Sequence, residues 1–251
     1  MGVIKFKDKY QKEIDGTFRS LQGHHSRWTI WADFITMSAC TLALLDQKRR
    51  EQNLTLYRDT AKKYQLEELE KFKRMFSIVV EALEDNPEQD FLGDLFMMLE
   101  LSNDHGGQFF TPYHLCRLTA EITAIDAKAD VERNGWIGVN DPACGAGALL
   151  IAFANQAKKA GINYQENVEY TAQDIDSTAA MMCYIQLSLL GLAGYVIIGN
   201  TLKKPPTENL SDYNVLYTPA YFTEDWHIRR LIRQIRDIEL RGVIDERNVM
   251  P

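Results

Sequence analysis

The sequence predicts an α/β protein in which a helical N-terminal region precedes a domain built on a parallel sheet. In residues 1–105, apolar side chains recur at intervals of three and four, with few Gly or Pro residues between them, as expected of packed amphipathic helices. In residues 106–251, short β-rich runs alternate with helical runs, as expected of βα units. A Gly-x-Gly turn follows the first of these strands. We therefore expect two domains, 1–105 and 106–251.

The composition is that of a globular protein, because 45% of the 251 residues are hydrophobic and 25% are charged. The net charge of −7 repels phosphate, so DNA binding requires a local basic face or a partner. No run approaches about 18 apolar residues, and the N-terminus lacks an apolar signal segment, so we expect a cytoplasmic chain without a membrane span. The cysteines lie far apart without a CxxC pair, which indicates reduced thiols rather than disulfides or a zinc site: Cys40, Cys116, Cys144 and Cys183.

Three helices are expected in the first region, at 28–45, 54–83 and 91–101. The pair Asn86-Pro87 ends the second of them. We interpret the aromatic residues of this region as the core of a helical bundle. The pair His24-His25 has no visible third ligand, so we expect no metal site here. The first helix illustrates the spacing, with one apolar face formed by Trp28, Trp31, Ile35, Ala39, Leu42 and Leu45.

In the second region, strands and helices alternate along the chain, which predicts a parallel sheet with helices on its faces. Ligands of such sheets bind at the carboxyl ends of the strands. The strands are expected at Trp136–Asn140, Val168–Ala172, Tyr195–Ile198 and Val215–Tyr217, and the helices at Pro112–Ile125, Ala148–Lys159 and Ser177–Leu190.

The strongest chemical signal follows the first strand, in the sequence Asp141-Pro142-Ala143-Cys144-Gly145-Ala146-Gly147. Two glycines allow a sharp turn and a close approach to a ligand, and the helix that follows offers free N–H groups. A dinucleotide fingerprint would need glycine in place of Leu150, and the Gly-Lys-Ser/Thr of a P-loop is absent. An acidic residue at the strand end suits a ligand with positive charge or hydroxyl and amine donors. S-adenosylmethionine has a sulfonium, an amino group and a ribose, so we expect it as the cofactor.

Two polar residues at later strand ends fit the same ligand. Asp174 follows the second strand, where a carboxylate can accept hydrogen bonds from both ribose hydroxyls. Asn200 follows the third strand, and its amide can pair with an adenine edge. Structural alternatives remain open for both, since Asp174 competes with Asp176 as a helix N-cap and Asn200 suits a turn.

Three segments occur in order along the chain: Gly107-Gln108-Phe109-Phe110-Thr111-Pro112, the loop from Asp141 to Gly147, and Gly199-Asn200-Thr201-Leu202. Together they resemble the successive motifs of N6-adenine DNA methyltransferases. The closest similarity is to modification subunits of type I restriction systems and related phage-borne proteins, which also carry a helical N-terminal region. The resemblance implies a Rossmann-like S-adenosylmethionine-dependent methyltransferase domain, with DNA as substrate. It implies that the segment Gln108, Phe109, Phe110, Thr111 and Pro112 lies across the methionine end of the cofactor. It also implies that the loop of Asp141, Pro142, Ala143, Cys144, Gly145 and Gly147 cradles the cofactor, that Asp174 holds the ribose, and that Asn200 meets the adenine amine.

The sequence departs from the family where the chemistry is expected. The family has Asn-Pro-Pro-Tyr/Phe after the fourth strand, where this chain has Thr218-Pro219-Ala220-Tyr221. By resemblance, Thr218 and Pro219 would accept hydrogen bonds from the amine of a flipped adenine, and Tyr221 would stack on the base. A hydroxyl is a weaker acceptor than an amide, and losing such an acceptor typically costs ~10²–10³ in rate. Thr218, Pro219 and Tyr221 are therefore the expected catalytic residues of a weakened site.

The region after the fourth strand is shorter than in the family. Only 29 residues follow Phe222, where the full methyltransferase sheet has three more strands, so we expect an abbreviated sheet. An arginine strip at positions 229, 230, 233, 236 and 241 favours a solvated or partner-facing helix over phosphate contact. We expect a protein partner, either a specificity or completing subunit or a second copy, to complete the site.

Three functions remain open at this point. The first is a small adenine methyltransferase that needs partner chains, and the second is a non-catalytic relative that binds cofactor or partners in restriction-modification or phage defence. The third is a nicotinamide-dependent oxidoreductase, which Leu150 disfavours.

Overall fold

The computed structural model describes residues 6–23, 25–101, 109–206 and 210–248, with side chains described as far as residue 236. It confirms the predicted fold class, since helices fill the N-terminal region and a sheet with interleaved helices follows. The predicted boundary between residues 105 and 106 falls outside the described residues. One apolar core runs through both regions, in which α-helix 27–42 packs against the helix that follows the second strand.

Five α-helices lie in the described part of the N-terminal region, and side-chain caps set several of their starts. Asp8 accepts a hydrogen bond from Gln11 N at 2.8 Å, and Ser26 accepts one from Thr29 N at 3.0 Å, as N-cap residues do. The helices are α1 (Lys9–Arg19), α2 (Arg27–Leu42), α3 (Arg50–Ala61), α4 (Leu66–Asp85) and α5 (Phe91–Met98), with a short 3₁₀ turn at Ala43–Leu45.

The long helix expected over 54–83 is in fact two helices, α3 and α4. The chain leaves α3 at Ala61 and starts α4 after Gln65, whose backbone N–H donates to Glu68 Oε2 at 2.8 Å in a capping box. A capping box starts a new helix by satisfying free N–H groups, which the apolar spacing alone does not reveal. α4 ends before Asn86-Pro87, as predicted.

One stretch, Arg27–Leu45, is long and apolar enough to cross a membrane by length and composition, which corrects the expectation that none is. A count of uninterrupted apolar residues misses it, because Thr, Ser and Asp residues interrupt the run. More than half of the stretch is buried inside the protein. Asp33 within it is buried and bonded to Lys63 Nζ at 2.8 Å and Tyr64 Oη at 2.7 Å. A mostly buried core helix passes the same test, so the length and composition are weak evidence of a span.

The described part of the second region contains four strands, with helices between the first three, close to the predicted positions. The helices are α6 (Tyr113–Thr123), α7 (Ala127–Asn134), α8 (Ala148–Lys159), α9 (Tyr164–Asn167), α10 (Ser177–Leu189) and α11 (Glu224–Asn248). The strands are β1 (Ile137–Asp141), β2 (Val168–Asp174), β3 (Ala193–Ile198) and β4 (Asn214–Tyr217), and a 3₁₀ turn covers Pro219–Phe222.

The sheet has the order β1-β2-β3-β4, and its last strand runs against the others. β1, β2 and β3 are parallel, but β4 pairs antiparallel with β3, with Tyr217 opposite Tyr195. The prediction of a wholly parallel sheet is therefore wrong for the fourth strand. A parallel neighbour needs a crossover, usually a helix, and the described residues between β3 and β4, 199–206 and 210–213, contain no helix.

Candidate functional site

The loops after the first three strands converge at the carboxyl ends of these strands. Cys144 N donates to Gln173 O at 3.0 Å, and Gly145 N donates to Asp174 Oδ2 at 2.8 Å. The hydroxyl of Thr201, beyond β3, donates to Pro142 O at 2.6 Å. The predicted meeting of the three motifs at the carboxyl ends of the parallel strands is thus present in the structure.

The loop between β1 and α8 requires both of its glycines. Gly145 has φ +53° and Gly147 has φ +95°, a region that other residues rarely adopt. A Cβ on Gly147 would lie 2.9 Å from Cys183 Sγ, and one on Gly145 would lie 3.0 Å from the ring of Phe110. The backbone therefore turns tightly here and packs against Cys183 and Phe110. A cavity lies beside this turn.

That cavity has a volume of about 370 Å³, within the range of small-molecule sites. Its described lining contains three carboxylates and no Lys or Arg side chain. The carboxylates belong to Asp90, Asp141 and Asp174. Among the described residues, no group of three or more His, Cys, Asp or Glu is placed to hold a metal ion. The lining therefore suits an organic ligand with positive charge and hydrogen-bond donors.

The electrostatics of the cavity are those of a partly desolvated acidic site. Burial raises the pKa of Asp141 above its ordinary value, the hydrogen bond from Ala143 N opposes this, and nearby Asp174 adds to it. The pKa of the Cys116 thiol is raised to about 11, first by burial and then by the charges of Asp90 and Asp141. Both effects favour a cationic ligand, whose charge would lower the cost of the buried carboxylates.

Most of the predicted cofactor-binding residues line this cavity, and the other described ones lie outside its lining. Pro142 and Gly147 belong to the loop without lining the cavity, and Pro112 is the N-cap of α6. Phe109 is 69% exposed and lies at the cavity wall, so its side chain is available to cover a ligand. Gln108 lies outside the described residues. The predicted residues in the lining are Phe109, Phe110, Thr111, Asp141, Ala143, Cys144, Gly145 and Asp174.

The structure separates the two alternatives that the sequence left open. Asp176 accepts a hydrogen bond from Ala179 N at 2.8 Å and is the N-cap of α10, so Asp174 is not. The Oδ1 atom of Asn200 accepts hydrogen bonds from Leu202 N and Lys203 N at 3.0 and 3.2 Å. Asn200 therefore stabilises a turn, and it does not line the cavity.

The predicted catalytic segment lies at the opposite ends of the strands from this cavity, beside the start of β3. Because β4 is antiparallel to β3, its end reaches the start of β3, where Thr218 N donates to Gly194 O at 3.0 Å. The side chain of Thr218 is fully buried, and its hydroxyl accepts from Gly194 N at 3.0 Å and donates to Gly194 O at 3.1 Å. The structure therefore does not bring Thr218 to the cofactor loop, contrary to the expectation of a single site.

The other two residues of that segment follow Thr218 to the same edge. Pro219 begins the 3₁₀ turn, and Tyr221 packs against Tyr217 with ring centroids 4.5 Å apart. The guanidinium of Arg230 lies 3.6 Å from the centroid of the Tyr221 ring. The pKa of Tyr221 is raised to about 12, chiefly by burial. This face of Tyr221 is occupied by Arg230 rather than offered to a base.

The arginine strip of α11 divides between an ion pair and an open cleft. Arg230 pairs with the buried Glu169 at 3.1 Å. Arg229, Arg233 and Arg236 line a cleft of about 1010 Å³ beside β1, which pairs only with β2 among the described strands. The side chain of Arg241 lies outside those described.

Two residues of the site were missed by the sequence analysis. Asp90, 3% exposed, comes from the N-terminal region and lines the cavity. Gln186 is fully buried, and its Nε2 donates to Asp90 Oδ1 at 2.7 Å and to Ala146 O at 2.8 Å, while its Oε1 accepts from Leu92 N at 3.1 Å. An acidic residue directly before an apolar helix was a signal for Asp90 as an N-cap, but no local signal indicated its cavity.

The chain is similar to a solved structure and to a family model. A solved structure from Listeria monocytogenes, described as a class I S-adenosylmethionine-dependent methyltransferase, aligns with 77% of this chain and 53% of its own, at 15% identity and a TM-score of 0.44. This chain therefore spans about half the length of that relative. The family model for N-6 DNA methylase matches residues 88–248, which is more than half of the chain. By that match, the chain belongs to the N-6 DNA methylase family.

Proposed function

We propose that the chain binds S-adenosylmethionine in the cavity beside the Gly145–Gly147 loop. The observation that carries this proposal is the acidic, cation-free lining of a cavity at the carboxyl ends of β1 and β2, together with family membership. When bound, this cofactor supplies an electrophilic methyl group on a sulfonium. Parallel sheets bind ligands at this edge, and the cavity volume is suitable for a nucleoside-sized molecule.

The residues present fit the donors of that cofactor. Asp141 and Asp174 offer carboxylate oxygens that accept from hydroxyl and amino groups. Each oxygen of Asp174 already accepts one backbone N–H, from Gly145 at 2.8 Å and from Asp176 at 2.9 Å, which fixes the carboxylate and leaves lone pairs for the ligand. Phe110, 5.0 Å from Phe96 between ring centroids, forms an apolar wall.

We propose DNA as the substrate and the N6 atom of adenine as the methyl acceptor, by family and by the motifs. Because Thr218 lies at the far edge of the sheet, the groups that hold the adenine come from residues outside those described or from a protein partner. A cytoplasmic restriction-modification setting, bacterial or phage-borne, fits these requirements.

Calorimetric titration with S-adenosylmethionine tests the cofactor proposal. We expect saturable binding of S-adenosylmethionine and of S-adenosylhomocysteine, with no saturable heat from NAD as the matched nucleotide control. Absence of heat with both adenosyl ligands at millimolar concentration would refute cofactor binding. Saturable binding of NAD alone would instead favour the oxidoreductase alternative.

A second candidate function is a non-catalytic relative that binds cofactor and partners. The burial of Thr218 and its bonds to Gly194 favour it. Incubation of the chain with labelled cofactor and adenine-containing DNA, followed by nucleoside analysis, separates the two. N6-methyladenine would establish the enzyme, and cofactor binding without methylation would support the second candidate. If methylation occurs, a Thr218→Ala variant with an unchanged rate would remove Thr218 from the mechanism.

A further inference from the structure

Asp90 is a buried carboxylate in the wall of the candidate cofactor cavity, and the donors among the described residues reach only one of its oxygens. Gly93 N donates to Oδ1 at 2.9 Å, and Gln186 Nε2 donates to the same atom at 2.7 Å. Within the described part of the chain, no donor reaches Oδ2. The side chain is 3% exposed and lines the cavity, so a ligand that fills the cavity can contact this carboxylate.

The charge of Asp90 is not needed for its structural role. As N-cap of α5 it accepts from Gly93 N, and Asn or Ser would cap a helix equally well. Burial of a carboxylate without a countercharge is unfavourable, so the negative charge at this position needs another explanation.

No cation of the described chain compensates that charge at hydrogen-bonding distance. Lys7, whose charge lowers the pKa of Asp90, is paired with Asp94 Oδ2 at 2.6 Å. The other charged groups in the cavity wall are Asp141 and Asp174, which are acidic too. Gly93 allows the carboxylate to lie against its Cα, because a Cβ there would overlap Oδ2. The described lining thus lacks a cation, and the cavity of about 370 Å³ that Asp90 lines has room for a ligand that carries one.

Only one group of the proposed cofactor is both cationic and a hydrogen-bond donor. The sulfonium has charge but no N–H or O–H, whereas the ribose hydroxyls and the adenine amine are neutral donors. The α-ammonium of the methionine part carries a full charge and three donors, like a lysine ammonium. The α-ammonium group therefore supplies both a countercharge and hydrogen-bond donors for the carboxylate.

We propose that Asp90 binds the α-ammonium group of S-adenosylmethionine and so sets the specificity of the cavity for ligands with an amino-acid part. This inference rests on the proposed cofactor function. Asp90 belongs to the N-terminal region. Recognition of the cofactor thereby includes a residue outside the motifs at the strand ends.

The test compares wild type and Asp90→Asn by calorimetry with three ligands. S-adenosylmethionine has both the ammonium and the sulfonium, S-adenosylhomocysteine has only the ammonium, and 5′-methylthioadenosine has neither. Asn retains an amide oxygen for Gly93 N and Gln186 Nε2. We expect the variant to bind the first two ligands about ten-fold or more weakly, the typical effect of losing a hydrogen bond to a charged group, and methylthioadenosine within two-fold of wild type.

Asp8→Asn is the matched control, since Asp8 is the N-cap of α1 and does not line the cavity. We expect it to leave all three affinities unchanged. Asp90→Ser, which keeps a capping oxygen without the charge, serves as a second variant if Asp90→Asn does not fold.

The outcomes separate this inference from the function on which it rests. Equal weakening of all three ligands would overturn the assignment, because it would indicate a damaged cavity. Unchanged affinity for S-adenosylhomocysteine would also overturn it. If wild type binds none of the three ligands, the proposed cofactor function fails together with the inference.

Discussion

At the scale of single residues, the buried carboxylate of Asp90 carries a cost in stability at neutral pH. Burial raises its pKa to about 6, although the hydrogen bonds from Gln186 and Gly93 oppose this. A carboxyl whose folded pKa is raised stabilises the fold fully below its unfolded pKa, near 3.8, and loses that contribution as the pH rises through about 6. The ionised form is therefore the unfavourable one at neutral pH.

We accordingly predict that Asp90→Asn stabilises the protein at pH 7, by up to about 3 kcal/mol. The gain over wild type is expected to be near zero at pH 4 and to reach its full size above about pH 6.5, since the pKa of Asp90 is about 6. Denaturant unfolding of both proteins from pH 4 to pH 8 measures it. A gain that does not change with pH would contradict this account. A purely structural Asp90 would not give higher stability together with weaker cofactor binding.

Thr218 is the second residue whose role the structure changes. We predict that Thr218→Val destabilises the fold by roughly 1–3 kcal/mol, because it leaves the buried Gly194 N–H without its acceptor. Cofactor affinity should stay within two-fold, since Thr218 lies at the other edge of the sheet. Thr223→Val is the matched control, because the Thr223 hydroxyl is exposed. Loss of cofactor affinity without loss of stability would return Thr218 to the cofactor site.

At the scale of elements, the turn between β1 and α8 depends on backbone geometry that only glycine accepts easily. Gly147→Ala is predicted to cost roughly 2–4 kcal/mol, from the left-handed backbone and the close Cys183 Sγ, and to weaken cofactor binding. In Gly16→Ala, the control, the new Cβ has open space within helix α1, so we expect stabilisation by up to about 1 kcal/mol. Thermal unfolding and calorimetry measure both variants. Equal effects at the two positions would show that the turn geometry is not the cause.

The elements themselves were largely predictable, and their directions were less so. The positions of β1, β2 and β3 agree with the predicted strands to within two residues at each end, because β-rich runs bounded by turn residues are a local signal. The direction of β4 was not predictable from local patterns. It depends on how the connection from β3, whose described residues contain no helix, returns the chain to the sheet. The division of α3 from α4 required the Gln65–Glu68 capping box, which apolar spacing overlooks.

At the scale of the whole molecule, Gln186 joins the N-terminal region to the glycine loop. It connects Asp90 and Leu92 of α5 with Ala146 through three hydrogen bonds. We predict that Gln186→Leu destabilises the protein by roughly 3 kcal/mol or more, because it leaves buried polar groups unsatisfied, and that it weakens cofactor binding by freeing the loop.

The control for this variant is Gln165→Leu. Gln165 is exposed and donates one hydrogen bond, to Leu190 O at 3.2 Å, so a change of about 1 kcal/mol or less is expected. Denaturant unfolding with calorimetry measures both. Destabilisation by Gln186→Leu with full cofactor affinity would show that the two regions act independently.

The fold class and the residues of the glycine loop could be predicted from the amino-acid sequence. Alternating strands and helices, two closely spaced glycines and acidic residues at strand ends are local patterns, each with a direct physical cause in backbone geometry. Asp141, Asp174 and the Gly145–Gly147 turn could therefore be predicted, and they do meet at one cavity.

Which distant residues share that cavity could be seen only after the chain was folded in three dimensions. Asp90 enters it from a helix far earlier in the chain, held by Gln186 from α10, while Thr218 is carried to the opposite edge by the reversed β4. Both outcomes depend on contacts between residues far apart in sequence. Such contacts are set by packing of the whole core rather than by any local pattern.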